Sequence, residues 1–198
     1  TAFFYFKQAV NLPCKKVTAV IVAAYKKALL LSLIVNYTAF APTNPKLEPF
    51  IVSFPALKPY IQLQTAFGES AARVRDVIRT NERDLRADGN YGLAQQVHVA
   101  YYYNGVLNTA KVFCTITIDQ AARRIKGNSA DLQKVVAKMC ELRMVDARVL
   151  GDVIAFGPAI VHDEGMTPLY ERLVAAQSAI LQQHLVFTEP EMRGTSWR

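Results

Sequence analysis

Along the first 113 residues, apolar side chains recur at the spacing of helix faces, and that rhythm breaks only at Cys114. Residues 1–10 are apolar and aromatic, and Asn11-Leu12-Pro13 ends the helix they predict. A long apolar helix is expected over 17–37. Ala41-Pro42-Thr43-Asn44-Pro45 is a loop, because two prolines so close together forbid a helix. A shorter helix is predicted over 56–67, with Gly68 as its stop. Over 70–87, Val74, Val77, Ile78 and Leu85 mark the inner face of one amphipathic helix, and Arg73, Arg75, Arg79, Glu82 and Arg83 its wet side. Asp88-Gly89-Asn90 reads as a tight turn. A further helix starts at Tyr91, with an interruption expected at Asn104-Gly105 before it resumes to Phe113. Helices joined by short loops predict stacked hairpins of the TPR or HEAT kind over 1–113, the C-terminal part of a longer solenoid.

From Cys114 onward the elements are different. Thr115-Ile116-Thr117-Ile118 is β-branched, and Thr117 with Gln120 forms a capping box for a short helix to Lys126. Gly127-Asn128-Ser129 is a turn with an N-cap. The next helix carries Leu132, Val135, Val136, Met139 and Leu142 at helical spacing. Two alternating segments, 145–149 and 153–156, flank a hairpin loop at Leu150-Gly151-Asp152. Strand, helix, helix, hairpin after a leading helix is the order of a winged helix, expected over 114–156. Thr167-Pro168 supplies an N-cap and a proline at the first helical position for a final helix over 167–187. A polar, loose tail is expected over 188–198. The fold class predicted is therefore mostly α: helical-repeat hairpins, a winged-helix subdomain and a C-terminal helix.

Composition adds three limits. The stretch 17–37 is apolar enough to be tested as a membrane span, but Lys26 and Lys27 sit at its centre, each costing about 2.5–3.5 kcal/mol there. A helix buried within a layer of helices is the better reading. Cys14, Cys114 and Cys140 are odd in number, widely spaced and lack a C-x-x-C pair, as expected of a reduced intracellular protein without a disulfide framework. The chain begins at Thr1 inside an apolar helical pattern, so it is expected to be part of a longer protein. The net charge of +7 is carried by the N-terminal half, with +5 over 1–50 and +2 over 51–113; the segments 114–166 and 167–198 are each neutral. The part that most resembles a DNA-binding fold thus lacks the basic excess that phosphate contact requires.

A helical repeat running into a winged helix and then a C-terminal helix resembles the PCI module of the proteasome lid, the signalosome and an initiation-factor complex. Tyr5-Phe6-x-Gln8-Ala9-Val10, Ala24-Tyr25-Lys26-Lys27 and Leu29-Leu30-Leu31-Ser32-Leu33-Ile34 resemble a stretch of the subunit 3 family of the constitutive photomorphogenesis 9 signalosome. Asp88-x-Asn90-x-Gly92-Leu93 is similar to that family's turn before its domain-linking helix, and Thr115-Ile116-Thr117-Ile118-Asp119-Gln120-Ala121-Ala122 to its approach to the winged helix. The resemblance covers most of 3–156; Asn104-Gly105, the 41–45 loop and the tail depart from it. It implies a structural subunit, in nucleus and cytoplasm, of an isopeptidase complex that removes Nedd8 from cullins, with the zinc chemistry in another subunit. The implied partners are other PCI subunits, with signalosome subunits 1 and 8 as neighbours.

Catalytic signatures are sparse. His98, His162 and His184 form no H-x-H or H-E-x-x-H pair, so no zinc hydrolase site is expected. Cys114 with His98 lacks a third group to orient the base. Gly89-x-x-Gly92 is too short for a phosphate loop, and no cofactor motif is present. Neither an enzyme nor a metal or cofactor site is therefore expected. A proteasome-lid or initiation-factor PCI subunit is the nearest alternative. The rival from another class is a winged-helix nucleic-acid binder reading DNA with the helix over 129–143, whose Asp131, Lys134, Lys138, Glu141 and Arg143 make a mixed face. The interface candidates are Val145, Arg148, Val149, Val153 and Phe156 on the small sheet. Leu169, Leu173, Val174, Ile180, Leu181 and Leu185 form the apolar stripe of the last helix, wide enough for a bundle.

Overall fold

Helix α1 (Ala2–Asn11) buries Val10 and packs Phe3, Phe6 and Ala9 against the following helix, α2 (Ala19–Leu31). The computed structural model describes residues 2–12, 17–42 and 54–157; the expected helix over 167–187 and the tail lie outside them. Thr18 caps α2, its side chain accepting from the Ile21 N–H at 3.4 Å. Ala24, Tyr25, Ala28, Leu29 and Leu30 are buried along it. The helix expected to run unbroken to Tyr37 changes winding instead: Ser32–Asn36 is a π-helical turn, and Tyr37 leaves it in the left-handed region at φ 55°. Ser32 Oγ donates to the Thr38 carbonyl (3.0 Å), satisfying a group that the changed winding exposes.

A 3-10 turn, Pro55–Leu57, leads into α3 (Lys58–Glu69). Gly68 does not stop this helix. The stop is Ser70, whose extended backbone ends α3 and whose side chain caps α4 (Ala71–Thr80) by accepting from the Arg73 N–H (3.2 Å). The single helix expected over 70–87 is two, α4 and α5 (Glu82–Ala87), broken at Asn81. The Asn81 side-chain amide donates to the Val77 carbonyl at 2.9 Å, competing with the backbone in the way that disfavours asparagine inside helices. The inner face survives the break, since Val74, Val77, Ile78 and Leu85 are all buried. Gly89 turns the chain at φ +67°, which glycine reaches without a Cβ penalty.

Helix α6 (Tyr91–Ala110) runs uninterrupted through Asn104-Gly105, where a break was the expectation. The glycine is there for packing. A Cβ at 105 would stand 2.6 to 3.0 Å from three atoms of the buried Ile125 side chain, so its absence lets the next helix approach. That helix, α7 (Ile118–Ile125), follows strand β1 (Thr115–Thr117) directly; Thr117 caps it by accepting from the Gln120 N–H at 3.3 Å. Lys126 closes it in the left-handed conformation. Asn128 then caps α8 (Ser129–Glu141) by accepting from the Ala130 N–H at 2.8 Å. Strands β2 (Ala147–Leu150) and β3 (Val153–Phe156) form a hairpin around Gly151-Asp152, with Gly151 at φ +64°. The sheet is antiparallel with order β1-β3-β2; Ile116 faces Ile154 in one pair and Val149 faces Ile154 in the other.

All described residues fall within one compact unit, Thr1–Ile160. Its largest core cluster draws on α1 to α6, from Val10 to Ala100. Ile116, Ile118, Ile125, Leu132, Val136, Met139, Ile154 and Phe156 are buried as well, beyond that cluster. Polar contacts join the two regions: the Ala71 N–H donates to the Lys126 carbonyl (3.3 Å), the Tyr101 hydroxyl to the Ile125 carbonyl (2.6 Å), and Arg75 pairs with Asp131 at 2.6 Å.

The two central lysines of α2 are disposed differently. Lys26 is only 8% exposed, and its ammonium meets Asp88 Oδ2 at 2.7 Å while lying 5.3 Å from the Tyr60 ring centroid. Lys27 is exposed and lies over Phe6 at 5.6 Å. Ala19–Asn36 is, among the described residues, the one helix long and apolar enough to cross a membrane, and more than half of it is buried inside this chain.

Candidate interaction surface

The three-stranded sheet has β3 at its centre and β1 and β2 as its two edge strands. Phe156 N–H donates to Cys114 O (2.8 Å) and Ile118 N–H to Asp152 O (2.7 Å), both across the β1–β3 side; Gly157 N–H donates to Asp146 O (2.7 Å) on the β2 side. Antiparallel alternation then points the even-numbered backbone groups of β3 at β1 and its odd-numbered ones at β2, so β3 is saturated. On β2 the same alternation turns Arg148 and Leu150 inward to the ladder and leaves the backbone groups of Ala147 and Val149 facing away from it. The Ala147 carbonyl is taken by the Cys140 thiol (Sγ–O 3.2 Å). Among the described residues the Val149 N–H and C=O are left as an unpaired stretch of the β2 edge, the kind of surface that accepts another strand; β1 is the other edge, with Thr115 facing away from β3 by the same alternation.

The sequence-derived candidates separate on this geometry. Arg148 is exposed on β2 and Val149 is half-buried beside it, both on the edge strand. Val145 is half-buried and precedes β2. Val153 lies on the central strand, with its backbone committed to the hairpin, and Phe156 is buried, 9% exposed, as part of the core. Leu169, Leu173, Val174, Ile180, Leu181 and Leu185 lie outside the described residues. Two exposed leucines were missed: Leu150, 64% exposed at the end of β2, and Leu142, 42% exposed past α8. The sequence pattern assigns Leu150 to the loop and Leu142 to the inner face, because periodicity cannot show that α8 ends at Glu141.

On the exposed face of α8, Lys134 is the cation in no ion pair among the described residues. Lys138 is paired with Glu141 (2.9 Å), and Asp131 is engaged by Arg75. A recognition helix needs its cations free for phosphate and base edges.

His98 sits on α6 with its ring 5.4 Å from that of Tyr102, and its Nε2 is buried without a hydrogen-bond partner. Burial lowers its pKa below the usual histidine value, and Arg75 adds to this; Asp131 opposes it. Among the described residues no three His, Cys, Asp or Glu side chains converge as metal ligands. Cys114 is exposed at the start of the sheet. The depressed histidine pKa has a measurable consequence. Between its folded value and about 6.5 the unfolded chain binds more protons, so stability is full above 6.5 and declines as pH falls below it. His98→Gln is expected to flatten the stability profile from pH 7 to pH 5 in urea titrations; an unchanged slope would show that His98 titrates alike in both states.

No protein-family model matches the chain. Over 131 residues it is 28% identical to the Drosophila melanogaster protein named COP9 signalosome complex subunit 3, covering 65% of this chain and 29% of that protein. Over 176 residues it is 27% identical to the protein of the same name from Emericella nidulans, covering 86% of this chain and 34% of that protein. The chain thus resembles signalosome subunit 3, and spans about a third of the length of these relatives.

Proposed function

We propose that this chain is the PCI portion of a signalosome subunit and acts as a non-catalytic scaffold, holding neighbouring subunits through the β2 edge and the helix over 167–187. The observation that carries the reading is the unpaired Val149 backbone on the β2 edge of the short sheet. It stands beside the resemblance to relatives named as subunit 3 of the COP9 signalosome. The order β1, α7, α8, β2, β3 is that of a winged helix, and the preceding helices α1 to α6 are read as the end of a helical-repeat region over 1–113. In this reading 114–156 is the winged-helix subdomain and 188–198 a loose tail. The partners are other PCI subunits, with signalosome subunits 1 and 8 as neighbours, in nucleus and cytoplasm. The complex as a whole would remove Nedd8 from cullins, with the isopeptidase chemistry in a different subunit.

The test is reconstitution of the complex with variant subunits. Val149→Pro removes an outward donor and adds bulk at the edge while leaving the β2–β3 ladder intact. It is expected to keep the wild-type melting temperature and lose tenfold or more in affinity for its neighbour, about 1.4 kcal/mol. Val153→Pro removes a donor inside the hairpin and is expected to lower stability as well. Truncation after Glu164 is expected to abolish incorporation while leaving the melting transition of the remainder nearly unchanged. Wild-type incorporation of Val149→Pro would show that the edge is not the contact. A large stability loss on truncation would place the last helix in the chain's own core.

A further inference from the structure

The cavity beside the π-helical turn has a polar lining rich in hydrogen-bond donors. It encloses about 430 Å³ between the end of α2, α3, α6 and α7, a volume within the range of sites that hold a small ligand or a peptide side chain. Leu33, Phe67 and Ile125 supply apolar wall. Gln64, Asn104, Asn108 and Arg124 supply polar groups, and among the described residues no carboxylate lines it.

Hydrogen-bond accounting shows what those groups lack. Gln64 Oε1 already accepts from the Phe40 N–H (3.1 Å), and Asn104 Oδ1 from the Asn108 amide (2.9 Å). Each of these oxygens thus already accepts one bond, while the Gln64 and Asn104 NH₂ groups donate to nothing among the described residues. Arg124 forms no ion pair among them; its guanidinium lies 5.2 Å from the Phe113 ring centroid. Tyr37 also lines the cavity, and burial, with Tyr103, pushes its phenol up to about 12, so it remains a donor. Two free amide NH₂ groups, a phenol and a guanidinium outnumber the free acceptor of Asn108, and this excess of donors matches an acceptor-rich anion; a planar guanidinium suits a carboxylate in particular.

The backbone here is special as well. A π-helical turn and a non-glycine residue at φ 55° each cost local energy, and both stand at the wall of this cavity. Asn108, Arg124, Ala39 and Gly68 are exposed at the rim, leaving room for a chain to pass across the opening.

We propose that this cavity is a binding site for an acidic peptide segment of a partner protein, with a glutamate or aspartate carboxylate held by Arg124, Asn104 and Gln64 and an adjacent apolar side chain against Phe67 and Leu33. The site is separate from the β2 edge and does not depend on the assembly role.

The test is NMR titration of the 198-residue chain with acetyl-Phe-Glu-Phe-amide, its Gln counterpart, and inorganic phosphate, following the side-chain amides of Asn104 and Gln64. The Glu peptide is expected to shift both resonances saturably, and the Gln peptide to bind at least tenfold more weakly. Arg124→Gln, at an exposed position, is expected to cost tenfold or more in affinity with the fold unchanged. Arg123→Gln, its exposed neighbour, is expected to bind as wild type. Asn104→Asp, which places a carboxylate in the cavity, is expected to abolish the shift of the Gln64 amide. Absence of saturable shifts, equal binding of the two peptides, or equal losses in the two arginine variants would overturn the proposal. Phosphate moving these resonances while the Glu peptide does not would overturn it in favour of a free anion.

Discussion

Tyr102→Ala is expected to destabilise the chain by about 3–5 kcal/mol, the usual cost of removing a fully buried aromatic ring. Tyr102 is 1% exposed at the seam between α6 and the α7–α8 turn. Its ring packs edge-on against His98 and Tyr101, and its hydroxyl accepts from the Asn128 N–H at 3.0 Å. Gly127 owes its identity to this ring, since a Cβ there would lie 2.5 Å from Tyr102 Cε1. For a chain of this size the loss corresponds to a fall in melting temperature of roughly 6–20 °C. Tyr102→Phe keeps the ring and strands only the Asn128 donor, so a loss of about 1 kcal/mol is expected. Near-equal losses in the two variants, measured by urea denaturation, would mean that the hydroxyl rather than the ring holds the seam.

Asp88→Ala is the second large effect, expected at about 3 kcal/mol. Asp88 Oδ2 accepts from both Lys26 Nζ and the Tyr60 hydroxyl, each at 2.7 Å, and Asn90 donates its amide to the Tyr60 oxygen at 2.9 Å. Burial keeps the Tyr60 phenol protonated well above the ordinary tyrosine range. Removing the carboxylate strands a buried ammonium and a buried hydroxyl, a loss of about 3–5 kcal/mol for a fully enclosed pair. The Asp88 side chain keeps 29% of its exposure, so water reaches the gap and the lower end applies. Lys26→Met in the Asp88→Ala background is expected to recover much of the loss, because the stranded charge is gone. A double variant no more stable than Asp88→Ala alone would show that Lys26 carries no penalty when unpaired.

These two sites mark how far the residues could be read in order. The inner face Val74, Val77, Ile78 and Leu85 was legible because helix periodicity is a local property, and all four are buried. So were the Thr117–Gln120 cap and the Asp88-Gly89-Asn90 turn, since capping and positive φ are chemistry of neighbouring residues. The break at Asn81 was not, because a side chain that bonds back to Val77 leaves the apolar pattern on either side undisturbed. Gly105 misled for the opposite reason. Read locally it breaks a helix, and only Ile125, twenty residues on, shows it to be a contact surface.

The interaction candidates divide along the same line. Alternation along 145–149 and 153–156 is enough to predict a hairpin, and β2 and β3 form one. It cannot say which strand is the edge, because that depends on where β1 pairs; its choice of β3 saturates Val153 and leaves Val149 open. The cost of the Lys26 and Lys27 charges in a bilayer points from the sequence to a helix buried among helices, and Lys26 is indeed buried within this chain. Its partner lies sixty-two residues away and was invisible. What the sequence by itself determined was helix faces, caps and turns, because each is decided within a few residues by sterics and hydrogen bonds. The tertiary structure alone decided which charges are paired, which glycine is a contact, which strand is free, and that Gln64, Asn104 and Arg124 line one cavity. Those outcomes depend on distance in space between residues that the chain keeps far apart.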